Sequence, residues 1–280
     1  YKPSPSITKT YLFISKVRDQ KYPGYTWPSG KVNDQLLDYA MATDVTENAD
    51  YSQNMTQALL QIPSVSIVTD PDNLFDPGKG IYVNAEQKGE EWERPCSFEL
   101  INPDGNEEFQ VNAGLRIRGG NSAKNKNNPK HAFRLFFRSE YGSAKLNFPL
   151  FGSEGAEEFD AIDLRCEQNY SWSMDGSYHN TMVKDIFSRD LQGKMGQPYK
   201  RGRYYHLYLN GMYWGIFQTD EAQFIKQAGQ FQLPGQTIAV VKNNAYNYGL
   251  EFAVKAFAIS GIRAFATTSM DDAVKIRQMC

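Results

Sequence analysis

Seven basic residues fall within GLRIRGGNSAKNKNNPKHAFRLFFR, residues 114–138: Arg116, Arg118, Lys124, Lys126, Lys130, Arg134 and Arg138. The small residues Gly119, Gly120, Asn121 and Ser122 sit between two apolar runs. Such a loop lets backbone N–H groups approach an anion closely, and cations on the flanking strands can close around it. The chemistry this favours is binding of a phosphate-bearing ligand; the competing reading is a solvated basic surface. Arg116 and Arg118 share one strand face because side chains alternate with period two. They repel unless an anion or a carboxylate compensates, so they either pair with acids across the sheet or line an anion pocket.

Other chemistries are weaker. His206 lies between Tyr204 and Tyr208 on one strand face, a setting for a packed, hydrogen-bonded histidine rather than a base. His131 and His179 are too far apart in sequence to define a metal site. Ser122 and Ser171 stand in no G-x-S-x-G elbow, which disfavours a hydrolase. Tyr170, Trp172 and Trp214 read as core aromatics before they read as a sugar platform. Asp163 and Arg165 share a face and read as structural, and Asp271-Asp272 as a solvated pair. Cys96, Cys166 and Cys280 fit neither a disulfide framework nor a zinc site.

The elements that must position the basic segment are mostly strands. SVSIVTD (64–70), GIYVN (80–84), PCSFELIN (95–102) and EFQVNAGLRIRG (108–119) read as β, with Asp104-Gly105 as a hairpin turn. HAFRLFFR (131–138) and FDAIDLRC (159–166) continue the pattern. RYYHLYL (203–209) and MYWGIFQT (212–219) flank Asn210-Gly211, the strongest short-range hairpin signal. Helical spacing marks 177–195, closed by Gly196 and Pro198. Shorter helices are expected over 55–62 and 220–230, and a strand over 237–243. The sum is an α+β fold with a mainly antiparallel sheet and a few helices.

Along the chain, residues 1–14 resemble the end of a preceding β module or a linker, and 15–62 form an irregular lead-in. Residues 63–243 carry the domain, and 244–280 a tail of weaker patterning, either helical or foreign to the fold. Apolar residues make up 41% and charged residues 22%, which excludes wholesale disorder. A net charge of −2 argues against a nucleic-acid binder, so any basic site is local. No stretch reaches the roughly eighteen apolar residues of a membrane span.

RIRGG-N-S, PKHAFRLFF, FDAIDLR, a helix opening with HN, and RYYHLYLNGMYWGIFQTDE, in that order, resemble the CotH family of spore-coat-protein-H-like atypical kinases. The resemblance runs from about Pro63 to Phe224. It implies a distant protein-kinase-like fold, here its N-terminal portion, that uses ATP and Mg2+ to phosphorylate protein hydroxyls. It also implies a secreted or cell-surface bacterial setting. Carried over by motif, Gly119, Gly120, Asn121 and Ser122 face the phosphates and Lys130 is the phosphate lysine, with Arg116, Arg118 and Arg134 as further cations. Asp185 or Asp190 is then the helix acid, and Glu221 sits at the exit of the hairpin. The family's later aspartate motifs, resembling NxD…NFYLY and PWD, have no match after Lys242, so this chain is expected not to turn over as it stands. The alternative is a non-catalytic structural or carbohydrate-binding module of a cell surface.

Overall fold

The computed structural model describes residues 7–24, 26–106, 108–124, 130–166, 181–197, 199–221, 238–241, 250–259, 264–267 and 270–279. The chain divides into two compact units, Tyr1–Phe224 and Ile225–Cys280.

Seven strands of the first unit close into a barrel. They are β1 (Ser64–Val68), β2 (Arg94–Ile101), β3 (Phe109–Arg118), β4 (Ala132–Phe136), β5 (Ala161–Arg165), β6 (Gly202–Leu209) and β7 (Met212–Glu221). The order around the barrel is β6-β7-β5-β4-β3-β2-β1, every pair antiparallel except β1 with β6, which run parallel and close the ring. The α+β, mainly antiparallel expectation holds, with closure of the sheet as the feature that periodicity did not reveal.

Alternation explains which side chains fill the barrel. On β3 Leu115 and Ile117 point inward, on β4 Phe133 and Leu135, and on β5 Ile162 and Leu164; all six are buried in one cluster with Phe98, Leu207 and Phe217. The outward positions are then Arg116 and Arg118, Arg134, and Asp163 and Arg165. Register places Arg116 opposite Arg134, and Arg134 opposite Asp163, so charges form one row across three strands.

The turns follow from residue chemistry. Asn210 (φ 46°) and Gly211 (φ 81°) are both left-handed, as the two-residue β6–β7 hairpin requires. Gly105 (φ 71°) lies in the β2–β3 connection. Of the helix expected over 177–195, α1 (Lys184–Lys194) is formed, and residues 177–180 lie outside the described set. Its C-terminus is a Schellman motif on Gly196 (φ 75°): Gln197 N–H donates to Gln192 and Gly196 N–H to Gly193.

Two expectations need correction. Residues 80–84 are turns, not a strand: Ile81 and Tyr82 are both buried, against strand alternation, and their N–H groups donate to the carbonyls of Asn73 and Leu74. The run wraps the short helix Pro71–Phe75 instead of joining the sheet. The expected 55–62 helix shortens to Met55–Ala58, and residues 220–221 end β7, the remainder of the expected 220–230 helix lying outside the described residues.

The second unit contains β8 (Ile238–Val241), α2 (Leu250–Ile259), β9 (Ala264–Thr267) and α3 (Met270–Met279), with β8 and β9 parallel. Leu250, Val254 and Ile276 form its buried cluster. This is a β-α-β-α arrangement with a core of its own, and α2 and α3 agree with the helical alternative for residues 244–280. Among the described residues no helix is long and apolar enough to cross a membrane.

Candidate functional site

The row of charges on the outer face of β3, β4 and β5 is built around two buried carboxylates. Asp163 has a side chain only 1% exposed and receives Arg134 through both oxygens, Nε at 2.5 Å from Oδ1 and Nη2 at 2.8 Å from Oδ2. Arg118 Nε donates to the same Oδ2 at 2.9 Å. Glu93, equally buried, receives Arg116 Nη2 at 2.5 Å and Arg138 Nε at 2.9 Å. The Tyr141 hydroxyl also bonds Glu93, and burial followed by that negative charge pushes the phenol well above its ordinary range. Two carboxylates thus hold four guanidinium groups, a geometry in which bidentate forks fix orientation as well as charge.

Residues without side chains make room for this. Gly114 lies on β3 beside Glu93, and a Cβ there would collide with the Glu93 carboxylate. Gly119 (φ 119°) ends β3 in a conformation L-residues avoid, with the Ser122 hydroxyl in the space a Cβ would take. Asn121–Ala123 then form a single 3-10 turn. His131 anchors this turn: its ring bonds the Ser122 backbone and packs against Tyr82 at 4.7 Å between centroids. Burial, more than the neighbouring Lys88 charge, lowers its pKa to about 4.

Above the carboxylates lies a hollow of about 480 Å³ lined by Lys88, Gly89, Arg116, Arg118, Gly119, Gly120, Ser122, Arg134 and Phe136. The Arg116 guanidinium stacks on Phe136 at 4.3 Å, and its buried Nε–H has no acceptor among the described residues. Burial lowers the pKa of Lys88. Of the two alternatives for Arg116 and Arg118, pairing with acids is realised; both also line the hollow.

The remaining expected residues lie elsewhere. Lys130 lines a different cavity, of about 320 Å³, with Tyr39, Tyr82, Tyr213, Trp214 and Gly215. Asp185 on α1 is held by Arg165 of β5 and Arg189 one turn on, and so ties the helix to the barrel. Asp190 is exposed on the same helix. Glu221 is the last residue of β7, and its side chain, like that of Asn121, is outside the described set. Lys126, Tyr170, Trp172, Ser171 and His179 also fall there. Trp214 packs with Trp27, Tyr39 and Tyr82 in an aromatic cluster. His206 is buried, with Nδ1 3.1 Å from the Tyr213 hydroxyl, in keeping with a packed role.

Sequence reasoning missed Glu93 and Lys88. Glu93 precedes β2 in an acidic run, Glu90-Glu91-Trp92-Glu93, that reads as solvated surface. The one available signal is Gly114 within an otherwise alternating strand, since an internal strand glycine marks a close approach. Gln20 was also missed: its amide donates to the Tyr39 carbonyl at 2.6 Å and the Tyr213 carbonyl at 3.2 Å, and accepts from Tyr213 N–H at 2.8 Å. It clamps the wall of the second cavity to β7. Gln20→Ala removes all three bonds and is expected to lower stability by about 2 kcal/mol, read from urea midpoints at unchanged m value.

The CotH kinase protein family model matches residues 115–237, which takes in the end of β3, the loop, β4, β5, α1 and the β6–β7 hairpin. Alanine racemase 2 of Staphylococcus aureus, from strain Mu50 / ATCC 700699 and from strain COL, is 60% identical over 42 residues. That similarity takes in 15% of this chain, and the chain spans 12% of the length of those relatives.

Proposed function

We propose, from the match of residues 115–237 to the CotH kinase protein family model, that the first unit is the N-terminal portion of a CotH-like atypical kinase domain. Its ligand is a nucleoside triphosphate, its full reaction phosphoryl transfer to protein hydroxyls, and its setting a bacterial cell surface or secreted protein. The observation that carries this reading is the hollow: Arg116, Arg118, Arg134 and Lys88 meet there with the Gly119–Ser122 turn. Phosphoryl transfer asks a protein chiefly for positioning and for charge against the phosphate oxygens, and the hollow has the residues for both.

The described residues fit the phosphates better than they fit a metal. Glu93 and Asp163, the carboxylates beneath the hollow, are already held by arginine. No group of three or more metal-ligating side chains occurs among the described residues. No step is therefore routed through Mg2+, and neither carboxylate is assigned as a base for the acceptor hydroxyl. On this reading the portion binds and orients a nucleotide, and turnover is not expected of this chain.

The test is thermal unfolding of the whole chain with and without Mg-ATP. At a hundredfold excess over Kd, ligand adds about 2.7 kcal/mol, a shift of several degrees. Gly120 lines the hollow with open space where a Cβ would go, so Gly120→Asp brings a carboxylate in without steric cost and is expected to abolish the shift. A wild-type chain unmoved by millimolar Mg-ATP sinks the proposal.

A further inference from the structure

The arginine hollow is lined with groups suited to one part of a nucleotide. Arg116, Arg118 and Arg134 reach it from β3 and β4, Lys88 from the segment before β2, and Gly119 and Gly120 bring main chain to its surface. Guanidinium, ammonium and main-chain N–H groups all donate to phosphate oxygens. The one ring in the lining, Phe136, already carries two guanidinium groups, Arg116 at 4.3 Å and Arg138 at 5.2 Å from its centroid. Gln87, the one side-chain amide there, is exposed. An amide both donates and accepts, so it does not tell one base edge from another. Aromatic side chains of the kind that stack a base stand elsewhere: Tyr39, Tyr82, Tyr213 and Trp214 line the cavity of about 320 Å³, which shares no lining residue with the hollow.

The cations of the hollow are not equivalent. Arg116, Arg118 and Arg134 are fixed on Glu93 and Asp163. Lys88 donates to the Ala85 carbonyl at 3.4 Å and forms no ion pair among the described residues. It is exposed at the rim, so it can turn onto a ligand without leaving a carboxylate uncompensated. We infer that the hollow grips the phosphate chain alone, with Lys88 as the cation that turns onto it, and accepts triphosphates irrespective of base. This rests on the nucleotide reading above and narrows it to recognition through the phosphates. Lys88 also lies before the segment that matches the family, so the grip draws on an earlier part of the chain.

The experiment is calorimetric titration of the whole chain at fixed Mg2+ with ATP, GTP, CTP and inorganic tripolyphosphate, and with adenosine. The four triphosphates are expected to bind within about threefold of one another, and adenosine not at all, whereas a stacked base is worth roughly fivefold to a hundredfold. Lys88→Glu is expected to weaken all four by about tenfold or more and in parallel, the loss of a charge-assisted contact. At an exposed position it is expected to leave the thermal midpoint of the unliganded chain unchanged. ATP bound tenfold or more tightly than tripolyphosphate would overturn the inference and leave the nucleotide reading standing. So would a Lys88→Glu chain that binds all four as the wild type does. A wild type that binds none of the four at millimolar concentration would sink the nucleotide reading itself, and this inference with it.

Discussion

Asp163→Ala is expected to lose about 4 kcal/mol of stability, more than any other single substitution in the barrel's outer face, because it removes one acid from beneath two guanidinium groups. Arg134 donates to both Asp163 oxygens and Arg118 to one of them. Asp163 is 0% exposed, so no water takes over when its carboxylate is gone. The arginines then face each other across β3 and β4 with charge unbalanced, and each must turn outward or drag solvent in. Replacing a buried pair by apolar side chains costs far less than halving it. A triple variant, Asp163→Leu with Arg118→Leu and Arg134→Leu, is therefore expected to recover much of the loss while emptying the hollow of its charge. The measurement is urea unfolding of wild type, single and triple variants. If the single variant loses under about 1 kcal/mol, the ion pairs are solvated and the hollow is not preorganised.

That cluster shows what the sequence made legible and where it stopped. Period-two alternation in GLRIR, AFRLF and AIDLR identified the strands, and with them the shared face of Arg116 and Arg118. Nothing in those segments names Glu93, because the pairing that brings β2 and its preceding residues against β3 is a register across the sheet, with Arg94 opposite Leu115. Asp163 was visible and correctly placed on a strand face, yet its role depends on Arg134 lying directly opposite, again a matter of register. Lys130 looked like part of the loop because it follows it in sequence. A side chain at a strand's start can leave either face, and Gly215, eighty-odd residues away, decides that it enters the aromatic cavity. The β8-α2-β9-α3 unit was legible in part, β8 within the expected 237–243 strand and α2 within the helical alternative, while β9 escaped notice. AFAT is short and largely apolar, and such a run carries no alternation to read. GIYVN misled in the opposite sense: a β-prone composition was overridden by the packing of Ile81 and Tyr82 against the helix before it.

Acid is expected to weaken the first unit through His131, and the sign follows from burial. The folded imidazole has its pKa lowered to about 4 from an ordinary 6.5. As pH falls below 6.5 the unfolded chain takes up a proton that the folded chain refuses. The unfolded state then binds more protons, so stability is full above the unfolded pKa and drains away between about 6.5 and about 4. A shift of that size is worth about 3 kcal/mol for a group 1% exposed. His206, also lowered by burial, adds in the same direction. Urea unfolding at pH 7.5 and about pH 4.5 is compared for wild type and His131→Gln, which keeps a donor for the Ser122 carbonyl but cannot titrate. Carboxylates contribute equally to both proteins, so the difference isolates the histidine. The wild type is expected to lose about 2 kcal/mol more than the variant over that range. Because His131 holds the Ser122 turn, the same acid step should loosen the loop that borders the hollow. Parallel losses in the two proteins would mean that the ring is solvated and the turn is anchored by something else.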